Sequence, residues 1–134
     1  MYKTLNKYLS LLLILTVFSV SVLANEPDKK IIQQAAVNFY ENLIKIGKTE
    51  KSTEILKIIP HGLNSTVCYY TVCFVGGGYV NIANSYSSLP ILSYSLSGRF
   101  SPIKNAPPAY QDWMESYKTQ IYDAIINQID NTST

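Results

Sequence analysis

The sequence predicts an α+β fold, in which an antiparallel meander of three to four strands has an N-terminal and a C-terminal helix packed against it. Three observations carry this prediction. Apolar residues recur at helical spacing near both ends, the middle is rich in Val, Tyr, Thr and Phe, and a Gly-Gly-Gly run divides that middle in two. The chain has 134 residues, which limits it to one domain.

Residues 1–24 have the pattern of a signal peptide. Two lysines precede an apolar run over residues 9–22, and Val22-Leu23-Ala24 supplies the small residues that a signal peptidase reads. We therefore expect an exported domain of residues 25–134, located in the periplasm or the medium if the source is a bacterium. The apolar run is shorter than the ~18 residues of a membrane span, so no membrane segment is expected after cleavage.

Cleavage also changes the charge. The two lysines of the signal peptide are lost with no acidic residue, so nine basic and nine acidic residues remain and the net charge falls from +2 to zero. A neutral chain lacks the basic footprint that nucleic-acid binding requires. We therefore expect no nucleic-acid partner.

The first predicted helix covers residues 28–46. Pro27 and Asp28 give a start signal and Gly47 a stop signal. Because the apolar side chains fall on two adjacent rows, this helix is expected to lie against an apolar surface. The rows are Ile31, Ala35, Phe39 and Leu43, and Ile32, Ala36, Tyr40 and Ile44.

The middle of the chain predicts the strands. The strongest strand signal spans residues 65–75, and Gly76-Gly77-Gly78 after it predicts a tight hairpin. The other strand candidates are residues 54–59, ended by Pro60-His61-Gly62, residues 79–83, and residues 91–96, which follow a turn-rich link at 84–90.

A second helix is predicted from Tyr110 onward, with Asp112 and Glu115 near its start, where the helix dipole favours acidic side chains. Residues 101–108 before it contain three prolines and no periodicity, which predicts a stiffened loop. Residues 128–134 are polar and are expected to fray. Both helices are free to cover one face of the sheet.

The inventory of reactive side chains argues against an enzyme. Cys68 and Cys73 are five residues apart, which in one strand means opposite faces and about 16 Å, beyond the ~7 Å of a disulfide. Two buried thiols are the preferred interpretation, with an intramolecular disulfide as the alternative. His61, which is the only histidine, is expected to be exposed in its Pro-His-Gly turn, which disfavours a Cys-His dyad.

The same inventory predicts no metal and no cofactor. The sequence has neither Cys-x-x-Cys nor His-x-x-x-His, and its acidic residues are scattered. The triple-glycine run precedes a strand and lacks the Lys-Ser/Thr of a phosphate-binding loop. Nine tyrosines outside the signal peptide suit either an interaction surface or half-exposed strands, and composition does not separate these two.

Three stretches of the sequence, in the same order along the chain, resemble the propeptides of streptopain-type, papain-like cysteine proteases. In that family a Gly-Gly-aromatic hairpin leads to a Pro-x-Ile-Leu-x-Tyr-Ser strand, and a helix with Met-Glu-Ser-Tyr-x-x-Gln-Ile follows. The matching stretches here are Gly77-Gly78-Tyr79-Val80-Asn81-Ile82, then Leu89-Pro90-Ile91-Leu92-Ser93-Tyr94-Ser95-Leu96-Ser97-Gly98-Arg99-Phe100, then Trp113-Met114-Glu115-Ser116-Tyr117-Lys118-Thr119-Gln120-Ile121.

The resemblance implies a secreted inhibitor that blocks the active-site cleft of a streptopain-like cysteine protease and has no catalytic residues of its own. Propeptides of this kind bring the segment before their last helix to the cleft and disturb the catalytic histidine there. That segment corresponds to residues 99–110, and the implied protease-binding residues are Arg99, Phe100, Lys104, Asn105, Pro107, Pro108 and Tyr110. Of these, Asn105 is expected to reach the catalytic residues.

The chain departs from the family in its motifs and in its length, and one difference is that Pro90 is followed directly by Ile91, without the intervening residue of the Pro-x-Ile-Leu motif. The family has an Asp-x-Arg pair before the Pro-x-Ile-Leu strand, where this chain has Asn84-Ser85-Tyr86-Ser87-Ser88. No protease domain follows the last predicted helix, which is the pattern of a free-standing inhibitor. Two other functions stay open: a folding helper that acts in trans on such a protease, and a secreted surface-binding module unrelated to proteolysis.

Overall fold

A computed structural model describes residues 27–86 and 90–127 of the chain. The predicted signal peptide and the polar tail at 128–134 lie outside the described residues. The elements in order are α1 (Lys29–Gly47), β1 (Ile55–Leu63), β2 (Thr66–Phe74), β3 (Tyr79–Ala83), β4 (Ile91–Ser95), a 3-10 turn (Ile103–Asn105) and α2 (Pro108–Ile126). The four strands form one antiparallel sheet in the order β1-β2-β3-β4, which confirms the predicted α+β meander with two helices packed on it.

Helix α1 has the predicted bounds to within a residue at each end. The Asp28 carboxylate accepts a hydrogen bond of 3.1 Å from the backbone N–H of Lys30 and so caps the first turn. Gly47 is the last helical residue, while the left-handed conformation that ends the helix falls on Lys48, with φ of 49°. One row of the predicted stripe, Ile32, Ala36 and Tyr40, is buried.

The expected end of the first strand at Pro60-His61-Gly62 is wrong. Strand β1 continues through these residues to Leu63, and the hairpin turn falls on Asn64 and Ser65, both with positive φ. A proline is tolerated here because β1 is an edge strand, where a missing N–H need not break the ladder. His61 is therefore a strand residue.

The two helices lie on opposite faces of the sheet, which corrects the expectation that they cover one face. On the first face, Tyr40 of α1 stacks on Phe74 with ring centroids 3.9 Å apart, within a buried cluster that also contains Val72, Val80 and Ile82. The second face carries α2, whose Met114 and Ile121 pack with residues of β2, β3 and β4 in a second buried cluster. Strand alternation supplies both faces with apolar side chains.

The strand pairing has three register shifts, one of them near the start of β1 between Ile55 and Lys57, and the other two change which side chains face α2. The pairing of β1 with β2 shifts between His61 and Gly62, and the pairing of β3 with β4 shifts between Asn81 and Ile82. Cys68 and Leu92 are the extra residues in their strands at these two shifts, and both side chains pack in the α2 cluster. The sequence argument that an odd spacing places Cys68 and Cys73 on opposite faces fails because it assumes a regular strand. Both thiols are buried and are not joined to each other by a disulfide, as preferred.

Helix α2 begins two residues before the predicted position, at Pro108. Proline suits the first turn of a helix because its missing N–H would have no helical partner there. The preceding residues, expected to be an irregular loop, contain the 3-10 turn Ile103–Asn105. The chain therefore enters α2 through a short, ordered connection.

Candidate functional site

Residues 99–110, which we call the proline segment, form most of the connection after β4 and the first turn of α2. All seven residues predicted to bind the protease lie in this segment. Five of them are exposed: Arg99, Lys104, Asn105, Pro107 and Pro108. Phe100 and Tyr110 are half-buried. The exposed residues thus stand between two partly buried aromatic rings.

The two aromatic residues attach the proline segment to the α2 face of the sheet. The Phe100 ring meets the rings of Tyr79 and His61 edge-on, with centroids 5.3 Å and 5.8 Å away. The Tyr110 hydroxyl lies 3.2 Å from Nδ2 of Asn81 and 3.1 Å from Oγ of Ser93, and so reaches β3 and β4. Both ends of the segment are therefore held by side chains that contact the sheet.

Hydrogen bonds order the segment internally. The backbone N–H of Asn105 donates to the carbonyl of Pro102 at 2.9 Å, and that of Ala106 donates to the carbonyl of Ile103 at 2.9 Å. From the first turns of α2, Nε2 of Gln111 donates to the carbonyl of Ala106 at 2.6 Å. With prolines fixing φ at three of its positions, the segment has little conformational freedom to lose on binding.

A pocket of about 420 Å³ separates part of the proline segment from β3. Five of the nominated residues, Arg99, Phe100, Asn105, Pro107 and Tyr110, line it together with Tyr79. Lys104 instead lines a neighbouring groove, and Pro108 begins α2. The structure thus brings most of the nominated residues together around one pocket.

His61 is not the exposed turn residue that the sequence suggested. Its ring stacks on Tyr69 with centroids 4.3 Å apart and planes 11° apart, and its Nε2 lies 2.7 Å from Oγ1 of Thr71. Burial and the nearby ammonium group of Lys118 lower the pKa of His61 to about 4. The ring is therefore neutral at neutral pH.

A row of polar side chains crosses the sheet beneath α2. Thr71, Asn81 and Ser93 occupy paired positions on β2, β3 and β4. Thr71 donates to Oδ1 of Asn81 at 2.5 Å, and Nδ2 of Asn81 donates to Oγ of Ser93 at 2.7 Å. Because Tyr110 joins the same row, the position of α2 and the end of the proline segment depend on it.

The neighbouring groove, of about 500 Å³, runs between β1, the proline segment and α2. Its aromatic lining includes His61, Tyr69 and Phe100. Its charged lining residues are Lys57 of β1, Lys104 of the 3-10 turn, and Lys118 and Glu115 of α2. Lys118 donates to Glu115 at 2.6 Å and is 18% exposed, so its ammonium group is held at the wall of the groove.

Neither thiol is placed for nucleophilic chemistry. Burial raises the pKa of Cys73, which disfavours its thiolate at neutral pH. Sγ of Cys68 lies 3.6 Å from the carbonyl of Thr66, to which it donates. Across residues 27–86 and 90–127, no group of three or more His, Cys, Asp or Glu side chains is arranged to hold a metal ion. In the same part of the chain, neither helix is long and apolar enough to cross a bilayer.

Neither the polar row nor the groove could be predicted from the sequence. The row was hidden because Thr71, Asn81 and Ser93 sit within three separate strand signals, and only the register aligns them. The groove joins Lys57 and Lys118, which are far apart along the chain. A signal was present in β3, where a single asparagine interrupts the apolar run Val80-Asn81-Ile82.

The fold and this surface define an α+β domain with helices on both faces of a four-stranded meander and an ordered, exposed segment before its last helix. Comparison with protein families, with curated proteins and with solved structures finds no match to this chain. The exposed proline segment and the groove beside it are therefore the features from which a function is proposed.

Proposed function

We propose that this protein is a secreted inhibitor of a streptopain-like cysteine protease and that the proline segment blocks the active-site cleft. The observation that carries the proposal is that the segment is exposed yet held at both ends, by Phe100 and by Tyr110. This is the form expected of a chain that enters a protease cleft without being cut, since cleavage requires an extended and adaptable backbone.

The chemistry of the exposed residues supports the same proposal. Asn105 carries a side-chain amide, which both donates and accepts hydrogen bonds, at the end of the 3-10 turn. Pro107 and Pro108 follow it and lack backbone N–H groups, so they cannot complete a strand-like pairing with a cleft. A standard protease–inhibitor interface buries ~800 Å² on each partner, so we expect the groove beside the segment to take part in the contact.

The direct test is a titration of a streptopain-type protease with the purified protein, with hydrolysis of a small peptide substrate as the readout. We expect the activity to fall in proportion to added protein and to reach zero near one equivalent. Undiminished hydrolysis at a tenfold excess would rule out the proposal. A second arm refolds a protease that lacks its propeptide in the presence of the protein, and rescue of refolding without inhibition of the folded enzyme would favour a folding helper.

A further inference from the structure

The groove between β1 and α2 has the features of a second binding site beside the proline segment. Three lysines, Lys57, Lys104 and Lys118, line it together with one acidic residue, Glu115. The lysines come from three different elements, so positive charge is spread along the groove. We call this feature the lysine groove.

The lining of the lysine groove is amphipathic. Phe100, Pro102 and Ile103 form an apolar wall that belongs to the proline segment, and Tyr69 and His61 add aromatic surface from β2 and β1. A volume of about 500 Å³ exceeds what a small inorganic anion fills. The groove therefore suits a ligand larger than an inorganic anion, one that carries carboxylates together with an apolar side chain.

Charge favours an acidic occupant at neutral pH. Because the pKa of His61 is low, its ring adds no charge and serves as an apolar surface next to the lysines. The Lys118 ammonium group already contacts Glu115, whereas Lys57 and Lys104 are exposed and can meet incoming carboxylates. Such contacts steer association and are weakened by salt.

The position of the groove identifies the partner. Its apolar wall is the same stretch of chain that begins the proline segment, so whatever fills the groove lies directly beside the cleft that the segment enters. Strand addition to β1 is disfavoured because Pro60, in the middle of this edge strand, has no N–H to donate. Side-chain contacts must therefore carry recognition.

We propose that the lysine groove binds an acidic peptide segment at the rim of the target protease's active-site cleft, which rests on the proposed function. The acidic segment places carboxylates on Lys57, Lys104 and Lys118 and an apolar side chain against Phe100 and Ile103. The groove thus selects among proteases of one class by the charge beside the cleft, while the proline segment blocks the cleft itself.

The first test needs no protease. A capped Glu-Glu-Phe-Glu-Glu peptide is titrated into the isotope-labelled protein at low salt, with a Gln-Gln-Phe-Gln-Gln peptide and a short oligonucleotide of equal charge as comparison probes. We expect backbone shift changes at Lys57, Phe100 and Lys118 with the acidic peptide, and loss of these changes at 0.5 M salt. Equal binding of the glutamine peptide or of the oligonucleotide overturns the proposal.

The second test uses the variant K57Q/K118Q, which leaves the proline segment intact, and the control K29Q/K45Q, whose lysines lie on α1 at the other face of the sheet. Inhibition of the protease by K57Q/K118Q should weaken about five- to tenfold at low salt and little at high salt, because two screened charge contacts are removed. The control should inhibit as the unmodified protein does. The single variant K57Q, at an exposed position, gives the same direction without the Lys118–Glu115 pair being altered.

The two proposals fail in different ways. If the unmodified protein does not inhibit the protease, the proposed function is overturned, and the lysine groove loses its partner with it. If the protein inhibits and K57Q/K118Q inhibits equally well at low salt, the proposed function stands and the lysine groove is overturned.

Discussion

The hydroxyl of Thr71 donates to Oδ1 of Asn81 at 2.5 Å, between two side chains that are 0% exposed at the centre of the sheet. Because the single hydroxyl proton of Thr71 is used in this bond, the 2.7 Å contact with His61 requires Nε2 of His61 to be the donor. The tautomer of the histidine is thus set from β3, two strands away. The polar row acts as one connected network.

Asn81→Leu should therefore destabilise the fold by about 2–3 kcal/mol, because it leaves the buried Thr71 hydroxyl without its acceptor and takes a donor from Ser93 and Tyr110. Urea denaturation measures the change. The control is Asn38→Leu on α1, at an exposed asparagine, where less than about 0.5 kcal/mol is expected.

The double variant T71V/N81L should cost about 1 kcal/mol less than the two single changes added together, since it removes both members of one buried bond. Strict additivity would mean that the row is not a network.

Gly78→Ala should cost about 3 kcal/mol or more. Gly78 has φ of 83°, and an added Cβ would collide with Oη of Tyr40 and lie 2.7 Å from the carbonyl oxygen of Ser95. Tyr40 cannot move away freely, since its hydroxyl donates to the carbonyl of Gly77 at 2.8 Å and its ring is stacked on Phe74.

The matched control for that change is Gly98→Ala. Gly98 has φ of 76°, but no atom lies within 4 Å of an added Cβ, so only the backbone cost of about 1–2 kcal/mol is expected. Thermal melts of both variants provide the comparison. Equal destabilisation would show that the contact between α1 and the β2–β3 hairpin is looser than the structure has it.

The stability of the protein should fall as the pH drops from about 6.5 to about 4. The folded state lowers the pKa of His61 to about 4, so in this window the unfolded chain binds a proton that the folded chain does not. The stabilisation is fully present above pH 6.5 and is lost as the pH falls toward 4. The whole shift corresponds to about 3 kcal/mol, and water access to the half-buried ring reduces this to about 1–2 kcal/mol.

Urea titrations at pH 7 and pH 4.5 measure that loss, and His61→Gln is the comparison variant. Glutamine keeps a donor for Thr71 but does not titrate in this range. The variant should lose about 1–2 kcal/mol less than the unmodified protein between the two pH values. An identical pH dependence would assign the acid sensitivity to carboxylates instead of His61.

The order of the elements could be read from the sequence because each signal is local. The row containing Ile32, Ala36 and Tyr40 follows the helical period, and the glycine run marks the β2–β3 hairpin. The continuation of β1 through Pro60 and His61 could not be predicted in the same way. A proline usually ends a strand, and Pro60 is tolerated here only because β1 is an edge strand.

The faces of the sheet were harder to predict for a related reason. A bulge reverses the parity of every later residue in its strand, and the shift beside Cys68 leaves no mark in composition. The candidate site, too, could be predicted from the sequence only in part. Its exposed residues lie together in one short stretch of the sequence, while the lysine groove and the polar row arise only when distant strands are placed in register.

Under the proposed function, Asn105→Ala should weaken inhibition of the protease by at least about tenfold, because Asn105 is the residue proposed to contact the catalytic residues and central contacts carry most of the binding energy. Inhibition constants measured with a small peptide substrate give the change. Asn42→Ala, at an exposed asparagine of α1, is the matched control and should leave the inhibition constant unaltered. If both variants inhibit equally, Asn105 does not reach the catalytic residues.

If the protein inhibits the protease as proposed, Phe100→Ala should convert it from an inhibitor into a substrate. The edge-on contacts of Phe100 with Tyr79 and His61 hold the start of the proline segment, and their loss allows residues 101–106 to adopt the extended form that a protease cuts. We expect inhibition to become temporary, with cleavage between residues 99 and 110 detected by mass spectrometry.

Val75→Ala, at an exposed position in the β2–β3 turn, should stay intact and keep its inhibition. Because the polar row still holds Tyr110, the folded core should survive in Phe100→Ala, with a melting temperature within a few degrees of the unmodified protein. Persistent, uncleaved inhibition by this variant would show that the prolines alone keep the segment rigid.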